Sequence, residues 1–336
     1  MPLVQLIFRK TNPLFFSIEK VFASLWSDLQ KGISIQAQYM PFYNSSISNM
    51  ARNMVFASKK SRADIFHVTG DVHYIVLVLP ARKTILTIHD SVFIRESKGL
   101  KQVFFKWIFL KLPVKKCRFV TTISEKSRNE IVQYTGCDPS KVIVIPNPVN
   151  EYIYFREKVF NTDHPTLLFI GSTPNKNLDR IIQAITGLSC TLEIVGRIPE
   201  EHLLLLKKYE INFRQFMNLS EAEMADRYAA SDIIIFPSLY EGFGLPILEG
   251  QKAGCAVLTS NISPMKEVAG EGACLVDPYD TGSIRSGITK IIEDGSYRGH
   301  IIKKGFENID QYDSQKIADQ YLKLYAAILN QEICVE

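Results

Sequence analysis

Short apolar runs alternate with amphipathic stretches along almost the whole chain. Runs rich in Val, Ile, Phe and Leu are typical of buried strands, and apolar residues at every third or fourth position are typical of helices. In the first half this pattern predicts strands at residues 3–8, 33–39, 65–69, 84–88, 119–123 and 142–145, with the clearest helices at 16–30, 47–60 and 124–134. In the second half it predicts strands at 166–170, 191–195, 213–217, 232–236 and 256–259, with helices at 176–185, 200–210, 221–230, 246–253 and 283–294. Such alternation favours an α/β fold with parallel sheets.

The alternation runs as two successive series, so we expect two doubly wound, Rossmann-like domains. The length of 336 residues is about twice that of a typical domain. Turn-rich segments, NPVNEY and NTDHP, separate the two series. We therefore predict one domain over residues 1–155, a second over residues 156–313, and a C-terminal helix within 314–336 that packs back towards the first domain.

Composition favours a soluble globular protein. Hydrophobic residues make up 46% of the chain and charged residues 22%, and no apolar run approaches the ~20 residues of a membrane span. The charges near the N-terminus follow the apolar stretch, which is the wrong order for a signal peptide. The six cysteines are scattered without a C-x-x-C pair, which favours reduced thiols in the cytoplasm over zinc or disulfides.

Charge is unevenly distributed along the chain. Residues 1–160 hold 23 Lys and Arg against 11 Asp and Glu, a net charge of +12, whereas residues 161–336 hold 16 against 24, a net charge of −8. The basic excess is greatest from Lys98 to Arg118, KGLKQVFFKWIFLKLPVKKCR, where lysines interleave with aromatic residues. Such a helix can lie on an anionic membrane surface, with aromatic residues in the lipid. The alternative is an ordinary core helix with a solvated lysine face.

Two carboxylates lie eight positions apart in EGFGLPILE, from Glu241 to Glu249. The segment follows a predicted buried strand, and Pro246 suits the first position of a helix. Strand, glycine turn and helix start together direct free N–H groups and the positive helix end at an anion. Glu249 would lie one turn inside the helix and face the same crevice as Glu241. The helix end would bind phosphate and the two acids would bind sugar hydroxyls, which together match a sugar nucleotide. The alternative is a surface helix whose acids only interact favourably with the helix dipole.

The loops that follow the other strands hold the remaining candidates, because ligands of open parallel sheets bind beyond the strand C-termini. Gly171 permits a tight turn after strand 166–170. Lys176 follows at the expected helix start, where an anionic ligand would explain a cation; the alternative is a solvated lysine. The other candidates are Arg197 as a second cation, Asn218 and Leu219 as exposed backbone suited to a base, and Asp71, His73, His89 and Asp90 at ligand-side strand ends.

Three segments between residues 167 and 278 carry a family pattern: LLFIGSTPNKNLDRIIQAI, MNLSEAEMADRYAASDIIIFPSLYEGFGLPILEGQKAGCAVLTSN and PMKEVAGEGACLVDP. With them the chain resembles the retaining glycosyltransferases of family 4, the group 1 glycosyltransferases with the GT-B fold. TIHD, TTISEKSRNEIVQYTG and VIPNPVN extend the resemblance over nearly the whole chain. It implies two Rossmann-like domains facing across a cleft, with the acceptor on the N-terminal domain and the nucleotide-sugar donor on the C-terminal domain.

Residue by residue, the resemblance implies that Glu249 holds the ribose hydroxyls and that Glu241 lies near the donor sugar. Lys176 would neutralise the diphosphate leaving group without a metal, and His89 would contact the sugar near the reacting carbon. The remaining donor contacts implied are Gly171, Arg197, Asn218, Leu219 and the backbone N–H groups of Phe243, Gly244 and Leu245. Retention is proposed in this family to proceed by same-face attack, so no nucleophile is assigned.

Two positions depart from the family pattern. Many members have a Gly-Gly turn before the first helix, where NPLFFSIEK stands here and its phenylalanines would block close backbone approach. Ser17 and Glu19 remain as polar candidates in that segment. Many members also carry an arginine after the glycine of GSTPNKN, where Ser172 stands here, and Arg197 is the candidate replacement. The acceptor-side candidates are Ser17, Asp71, His73 and Asp90.

The resemblance implies a hexosyltransferase that uses a nucleotide-sugar to build a cell-surface polysaccharide, lipopolysaccharide or glycolipid. No metal, other cofactor or nucleic-acid partner is expected. Two alternatives stay open: a GT-B-like sugar-nucleotide epimerase that needs no acceptor, and a catalytically impaired subunit that partners another transferase. The protein is expected in the cytoplasm, and on the inner face of the membrane if the segment from Lys98 to Arg118 binds lipid.

Overall fold

Each half of the chain is built around its own parallel sheet. The computed structural model describes residues 1–11, 17–43, 46–59, 62–95 and 97–330. The chain divides into a first unit, Met1–Pro148 together with the helix that begins at Ser314, and a second unit, Val149–Asp313. The first unit thus ends at Pro148, before the boundary expected at residue 155, and it includes the last helix of the chain.

The first unit contains six parallel strands flanked by helices. The strands are β1 Leu3–Phe8, β2 Ser34–Tyr39, β3 Ile65–Val68, β4 Thr84–Ile88, β5 Phe119–Thr122 and β6 Val142–Val144, in the order β2-β1-β3-β4-β5-β6. The helices are α1 Ser17–Ser24, α2 Trp26–Leu29, α3 Ile47–Ala57, α4 Val92–Arg95, α5 Gly99–Phe105, α6 Leu112–Lys116, α7 Glu125–Thr135 and the C-terminal helix Ser314–Leu329. A π-helical turn at Lys106–Lys111 joins α5 to α6, and 3₁₀ turns span His73–Val78, Ala81–Lys83 and Pro139–Lys141.

Successive residues of β1 enter hydrophobic layers on opposite faces of this sheet, because side chains alternate along a strand. Val4 and Leu6 pack in the layer that contains Tyr321 of the C-terminal helix. Ile7 packs in the other layer, with Met50 of α3. Both faces are therefore covered, which is the expected environment of a parallel sheet.

A buried polar network fixes the C-terminal helix on the sheet. His67 of β3 is fully buried; its Nδ1 lies 2.7 Å from Tyr325 Oη and its Nε2 lies 2.6 Å from Thr87 Oγ1. The Thr87 hydroxyl in turn lies 2.6 Å from Thr121 Oγ1. Burial lowers the pKa of His67 to about 3, so the ring is neutral at neutral pH. Because both ring nitrogens are hydrogen-bonded, these polar groups can lie between sheet and helix without a large desolvation cost.

The second unit repeats the architecture. Its strands are β7 Thr166–Ile170, β8 Thr191–Val195, β9 Phe213–Phe216, β10 Ile233–Phe236, β11 Ala256–Ser260 and β12 Cys274–Val276, all parallel in the order β12-β11-β10-β7-β8-β9. Its helices are α8 Leu178–Ile185, α9 Glu200–Lys208, α10 Glu221–Ala230, α11 Leu245–Lys252, α12 Met265–Ala269, α13 Thr281–Glu293 and α14 Gly295–Ile309. 3₁₀ turns span Pro174–Lys176 and Asp310–Tyr312.

The predicted α/β fold with parallel sheets is confirmed. A capping box begins α10, with Ser220 Oγ accepting from the Glu223 N–H and Glu223 accepting from the Ser220 N–H. Strand β12 and helices α12 and α14 were not predicted. β12 has only three residues, which is too short a run for a strand to be recognised from the sequence.

The segment from Lys98 to Arg118 forms α5, the π-helical turn and α6. Phe109 and Leu110 are buried, and Phe104 and Phe105 pack against the same core. The expectation that these residues face lipid is therefore wrong. Trp107 differs, with 48% of its surface exposed. In the part of the chain described by the structure, no helix has the length and apolar character needed to cross a membrane.

Replacing Tyr325 with Phe tests the role of the buried network. The substitution keeps the ring but removes the hydroxyl, which leaves His67 Nδ1 buried without its partner. We expect the free energy of unfolding, measured by urea titration, to fall by about 1–3 kcal/mol. Tyr39→Phe, at a half-exposed tyrosine of β2, is the control and should change stability by less than about 0.5 kcal/mol. Equal stability of the two variants would contradict this account.

Candidate active site

The glycine turn after β10 leads directly into α11. Gly244 has φ +112°, a conformation open to glycine and strained for other residues. The helix begins at Leu245, one residue earlier than expected, and Pro246 lies in its first turn. Phe243 is 5% exposed, and its ring meets that of Tyr312 edge-on at 5.8 Å. A ligand at this turn would therefore meet the main chain of Phe243 and not its side chain.

Lys176 and Glu241 are brought together by neighbouring strands. Lys176 Nζ lies 2.6 Å from Glu241 Oε1, and the two side chains are 19% and 14% exposed. The ammonium also lies 4.7 Å above the ring of Phe236. Asn175 Nδ2 donates to Glu241 Oε1 at 3.3 Å and to the Tyr240 carbonyl at 2.8 Å. The loop after β7 thus holds both the acid and its counter-ion in fixed positions.

The sequence predicted that Lys176 begins a helix, and this prediction is wrong. Lys176 ends the 3₁₀ turn, and α8 begins at Leu178. The physical reason is Asn177, which has φ +69° and separates the two elements. Its buried side-chain amide donates to the carbonyls of Pro237 (3.0 Å) and Pro278 (2.7 Å), which holds the left-handed conformation. Asn177 thereby links the loop after β7 to those after β10 and β12.

Gly171, also predicted to lie in the site, makes room for Lys176. Its φ is +133°, and a Cβ atom built on it would lie 2.6 Å from Lys176 Cγ. The lysine stem therefore crosses directly over the glycine. Sequence reasoning identified Gly171 as a turn residue, but the contact with a side chain five positions later requires the structure.

The remaining donor candidates follow β8 and β9. Ser172 Oγ accepts from the Arg197 N–H at 2.8 Å, which ties the loops after β7 and β8 together, and the Arg197 side chain is exposed. Asn218 is exposed with φ +55°, and Leu219 is partly buried. Strands β10, β7, β8 and β9 are consecutive neighbours in the sheet. The predicted donor residues that follow them therefore share one edge of the second unit.

Glu249 lies one turn inside α11, as predicted, and is 6% exposed. Its Oε1 accepts from the Asn150 amide and its Oε2 accepts from the Tyr228 hydroxyl. Neither partner was predicted. Tyr228 resembles an ordinary core residue of α10 in the sequence, and Asn150 belongs to VIPNPVN, which carried the family pattern but no assigned role.

The corresponding edge of the first unit holds a charged cluster. Arg9, directly after β1, pairs with Glu19 through Nε (2.9 Å) and Nη2 (3.2 Å) and also pairs with Asp71. Asp71 has φ +55°, and its side chain is 43% exposed. Arg9 was missed by sequence reasoning, although its place at the end of a strand was a usable signal.

His89 and Asp90 follow β4 on the same edge. His89 Nε2 lies 2.8 Å from the Thr69 carbonyl; because a carbonyl only accepts, Nε2 carries the proton. Burial lowers the pKa of His89, so Nδ1 is the acceptor nitrogen. Asp90 Oδ1 accepts from the Val92 N–H at 3.0 Å, and burial raises the pKa of its carboxyl.

Two of the acceptor-side candidates, His73 and Ser17, offer no surface side chain in the described part of the structure. His73 is 3% exposed, its Nδ1 donates to the Phe109 carbonyl at 2.7 Å, and its ring lies against Phe93 and Phe109. It is a core residue. Ser17 begins α1, but its side chain lies outside the described part of the structure. Across the described ranges, no three His, Cys, Asp or Glu side chains lie together as a metal site requires.

Two family models match the chain. The model for glycosyl transferases group 1 matches residues 151–308, and the model for glycosyltransferase family 4 matches residues 21–151. The chain belongs to the group 1 and family 4 glycosyltransferases. The glycine turn, the Lys176–Glu241 pair and Glu249 all lie within the part matched by the group 1 model.

Curated relatives in this glycosyltransferase family include two bacterial proteins. O-antigen chain mannosyltransferase B of Escherichia coli is 26% identical over 229 residues, which is 62% of this chain and 60% of that protein. O-antigen chain mannosyltransferase RfbU of Salmonella typhimurium is 27% identical over 252 residues, which is 71% of this chain and 70% of that protein.

Solved structures show the same fold. Sucrose-phosphate synthase from Thermosynechococcus elongatus matches with a TM-score of 0.79 at 15% identity, covering 99% of this chain and 100% of that chain. Anabaena HepE, solved in complex with UDP and glucose, matches with a TM-score of 0.76 at 14% identity, covering 96% and 99%. These likenesses confirm the GT-B fold predicted for this glycosyltransferase.

Replacing Asn177 with Gly tests the junction that positions Lys176. Glycine adopts the left-handed conformation without strain but cannot pair the carbonyls of Pro237 and Pro278. We expect the free energy of unfolding to fall by about 1–3 kcal/mol, as measured by urea titration. Glu210→Gly is the control, because Glu210 is exposed and also has a positive φ of 53°. Similar stability changes in both variants would show that the Asn177 bonds contribute little.

Proposed function

We propose that the chain is a retaining glycosyltransferase that transfers a hexose from a nucleotide-sugar to a saccharide or lipid-linked acceptor in cell-surface polysaccharide or glycolipid synthesis. The observation that carries the proposal is the 2.6 Å contact between Lys176 Nζ and Glu241 Oε1. It places a cation suited to a diphosphate beside an acid suited to sugar hydroxyls. The O-antigen mannosyltransferases among the relatives support a hexose and a polysaccharide product.

Lys176 supplies the charge that a departing nucleoside diphosphate needs. Negative charge grows on the diphosphate as the bond to the sugar breaks, and a cation already in place stabilises it without reorganisation. The contacts of Lys176 with Glu241 and with the Phe236 ring hold the ammonium at the strand ends. The N-terminus of α11 adds backbone N–H groups and the positive end of a helix dipole. We therefore propose that no metal ion is needed.

The two acids divide the recognition of the donor between them. Glu241, oriented by Asn175, accepts hydrogen bonds from the hydroxyls of the sugar. Glu249 accepts from the hydroxyls of the ribose, as acids do in other α/β nucleotide sites. The exposed backbone at Asn218 and Leu219 borders the base, and Arg197 lies on the same edge as a second cation.

The charged edge of the first unit is proposed to meet the acceptor. Asp71 and Asp90 offer carboxylates to acceptor hydroxyls. His89, on the same edge, is proposed to offer Nδ1 to the donor sugar near the reacting carbon. Arg9 stabilises this edge, since its pairing with Glu19 and Asp71 limits repulsion between the acids. His73 is left out of the proposal because it is a core residue.

Product analysis distinguishes the transferase from the epimerase alternative. The protein is incubated with UDP-, GDP-, ADP- or dTDP-sugars, with and without saccharide acceptors, and the products are separated by chromatography. A transferase releases nucleoside diphosphate in amounts that match the glycosylated acceptor. Conversion of the nucleotide-sugar to an isomer, with no dependence on acceptor, would favour the epimerase. No turnover of any donor would favour the impaired partner subunit.

Replacing Lys176 with Ala tests the role of the leaving-group cation. Because the charge on the diphosphate is largest in the transition state, we expect kcat to fall more than KM rises. The loss of one such contact corresponds to about 2.7–4 kcal/mol, or roughly a hundredfold to a thousandfold in kcat. Steady-state kinetics measure both constants, and EDTA should leave wild-type rates unchanged. Lys207→Ala, at an exposed lysine of α9, is the control. Near-normal turnover of Lys176→Ala would show that this lysine does not stabilise the leaving group.

We also propose that the segment from Lys98 to Arg118 binds an anionic membrane surface. Its inward aromatic residues belong to the core, but Leu100, Val103 and Trp107 are 89%, 52% and 48% exposed. Their spacing of three and four residues places them on one side of the helix. The exposed lysines nearby are Lys98, Lys101, Lys115 and Lys116. An apolar stripe between lysines matches the chemistry of an interface with anionic lipid.

Neutralising these four lysines tests the membrane proposal. Each lysine near an anionic surface contributes about 1 kcal/mol, so replacing all four with Gln should abolish sedimentation with anionic vesicles. Wild-type binding should also weaken as salt rises, because screening shortens to about 3 Å at ~1 M. The control replaces four exposed lysines of the second unit, Lys207, Lys208, Lys266 and Lys303, with Gln. Equal sedimentation of both variants, or binding that is insensitive to salt, would reject membrane attachment while leaving the transferase proposal intact.

A further inference from the structure

Glu249 is held by two side chains that the proposed function leaves without a role. The Asn150 amide donates to Oε1 and the Tyr228 hydroxyl donates to Oε2. The two donors come from different parts of the second unit, since Asn150 precedes β7 and Tyr228 lies on α10. One donor on each oxygen fixes both the position and the plane of the carboxylate.

The main chain of Asn150 is fixed by contacts that do not involve its amide. Lys252 Nζ donates to the Asn150 carbonyl at 2.8 Å, and Lys252 lies on α11, the helix that carries Glu249. The neighbouring Val149 N–H donates to the Tyr312 carbonyl at 2.9 Å. The amide is therefore already placed beside the carboxylate by the backbone, which reduces the entropy lost on forming the bond.

Tyr228 is equally well fixed. It is fully buried, and both burial and the charge of Glu249 raise the pKa of the phenol well above its ordinary value. The hydroxyl therefore keeps its proton and acts as a donor to the carboxylate. Replacing it with Phe would keep the packing of the ring and remove only this hydrogen bond.

We infer that Asn150 and Tyr228 are positioning residues for ribose recognition, which hold the Glu249 carboxylate so that both its oxygens face the two neighbouring hydroxyls of a ribonucleotide. The inference rests on the proposed role of Glu249. A carboxylate can accept about four hydrogen bonds, so binding by the protein and binding to ribose are compatible. A 2′-deoxyribonucleotide would leave part of a nearly buried acceptor unpaired, and the site should therefore reject it.

Calorimetry with matched nucleotides separates this role from a purely structural one. The affinities of UDP, GDP and ADP and of their 2′-deoxy forms are measured for the full chain, and the ratio of ribo to deoxy affinity is taken for the base that binds most tightly. For the wild type we expect roughly a tenfold to hundredfold preference for the ribonucleotide. A general loss of stability would weaken the binding of the ribo and the deoxy forms alike, so the ratio of their affinities reports on the carboxylate itself.

Asn150→Ala and Tyr228→Phe are compared with Tyr154→Phe, a control in which an exposed hydroxyl bound to Asp226 is removed. We expect the ribo-to-deoxy ratio to fall about threefold or more in each positioning variant, as for other groups in contact, and to stay unchanged in the control. Asn150→Ser provides a milder substitution if the Ala variant does not fold. Urea titration of each variant shows whether binding and stability change separately.

Glu249→Ala separates failure of this inference from failure of the proposed function. If Glu249→Ala keeps the wild-type ratio, or if the wild type binds none of these nucleotides, the ribose role of Glu249 is wrong and the inference is wrong with it. If Glu249→Ala loses the preference while Asn150→Ala, Asn150→Ser and Tyr228→Phe all retain it, only the positioning inference is overturned.

Discussion

Parallel pairing of β10, β7 and β8 is the constraint on which the candidate site depends. Parallel strands end at the same edge of a sheet, so the loops that follow them must meet there. Glu241 follows β10, Lys176 follows β7, and the 2.6 Å contact between them exists because these two strands are neighbours. Antiparallel pairing of either strand would send its loop to the opposite edge and separate the acid from the cation.

The Lys176–Glu241 pair differs from a purely structural ion pair in its position relative to the strand. Glu193 lies inside β8, is 3% exposed, and has Arg214 and Arg227 at 3.4 and 3.5 Å. Its charge is compensated by the two arginines, and it lies in the middle of the strand, away from the strand end where ligands bind. The Lys176–Glu241 pair lies beyond the strand ends, where a ligand can approach both charges. A buried charged residue therefore indicates a functional site only when its position in the sheet is also known.

Local signals in the sequence were sufficient to predict the strands other than β12 and to place most of the candidate donor residues just beyond the strand ends. β7 and β10 contain the apolar runs LLFI and IIIF, and the glycines and acids of EGFGLPILE carry a distinctive spacing. What could not be predicted depends on contacts between distant segments. Asn177 interrupts the expected helix because its amide bonds carbonyls 60 and 101 positions away.

Asn150 and His73 both show what a local sequence pattern cannot predict. Asn150 reaches Glu249 across 99 positions, and nothing in its own surroundings in the sequence indicates that contact. His73 follows a strand in the way a ligand-binding residue would, yet packing with Phe93 and Phe109 places it in the core. A local pattern shows where a side chain leaves the backbone, but the packing of other elements decides whether it meets solvent.

Thermal denaturation with a panel of nucleotide-sugars tests the central claim most directly. The full chain is heated alone and with saturating UDP-, GDP-, ADP- or dTDP-sugar, and Glu249→Ala is treated in parallel. A donor present at about 100 times its Kd stabilises the folded state by ~2.7 kcal/mol. We expect at least one donor to raise the Tm of the wild type and to raise that of Glu249→Ala much less. Unchanged Tm values with every donor at millimolar concentration would contradict the assignment of this sheet edge as a nucleotide-sugar site.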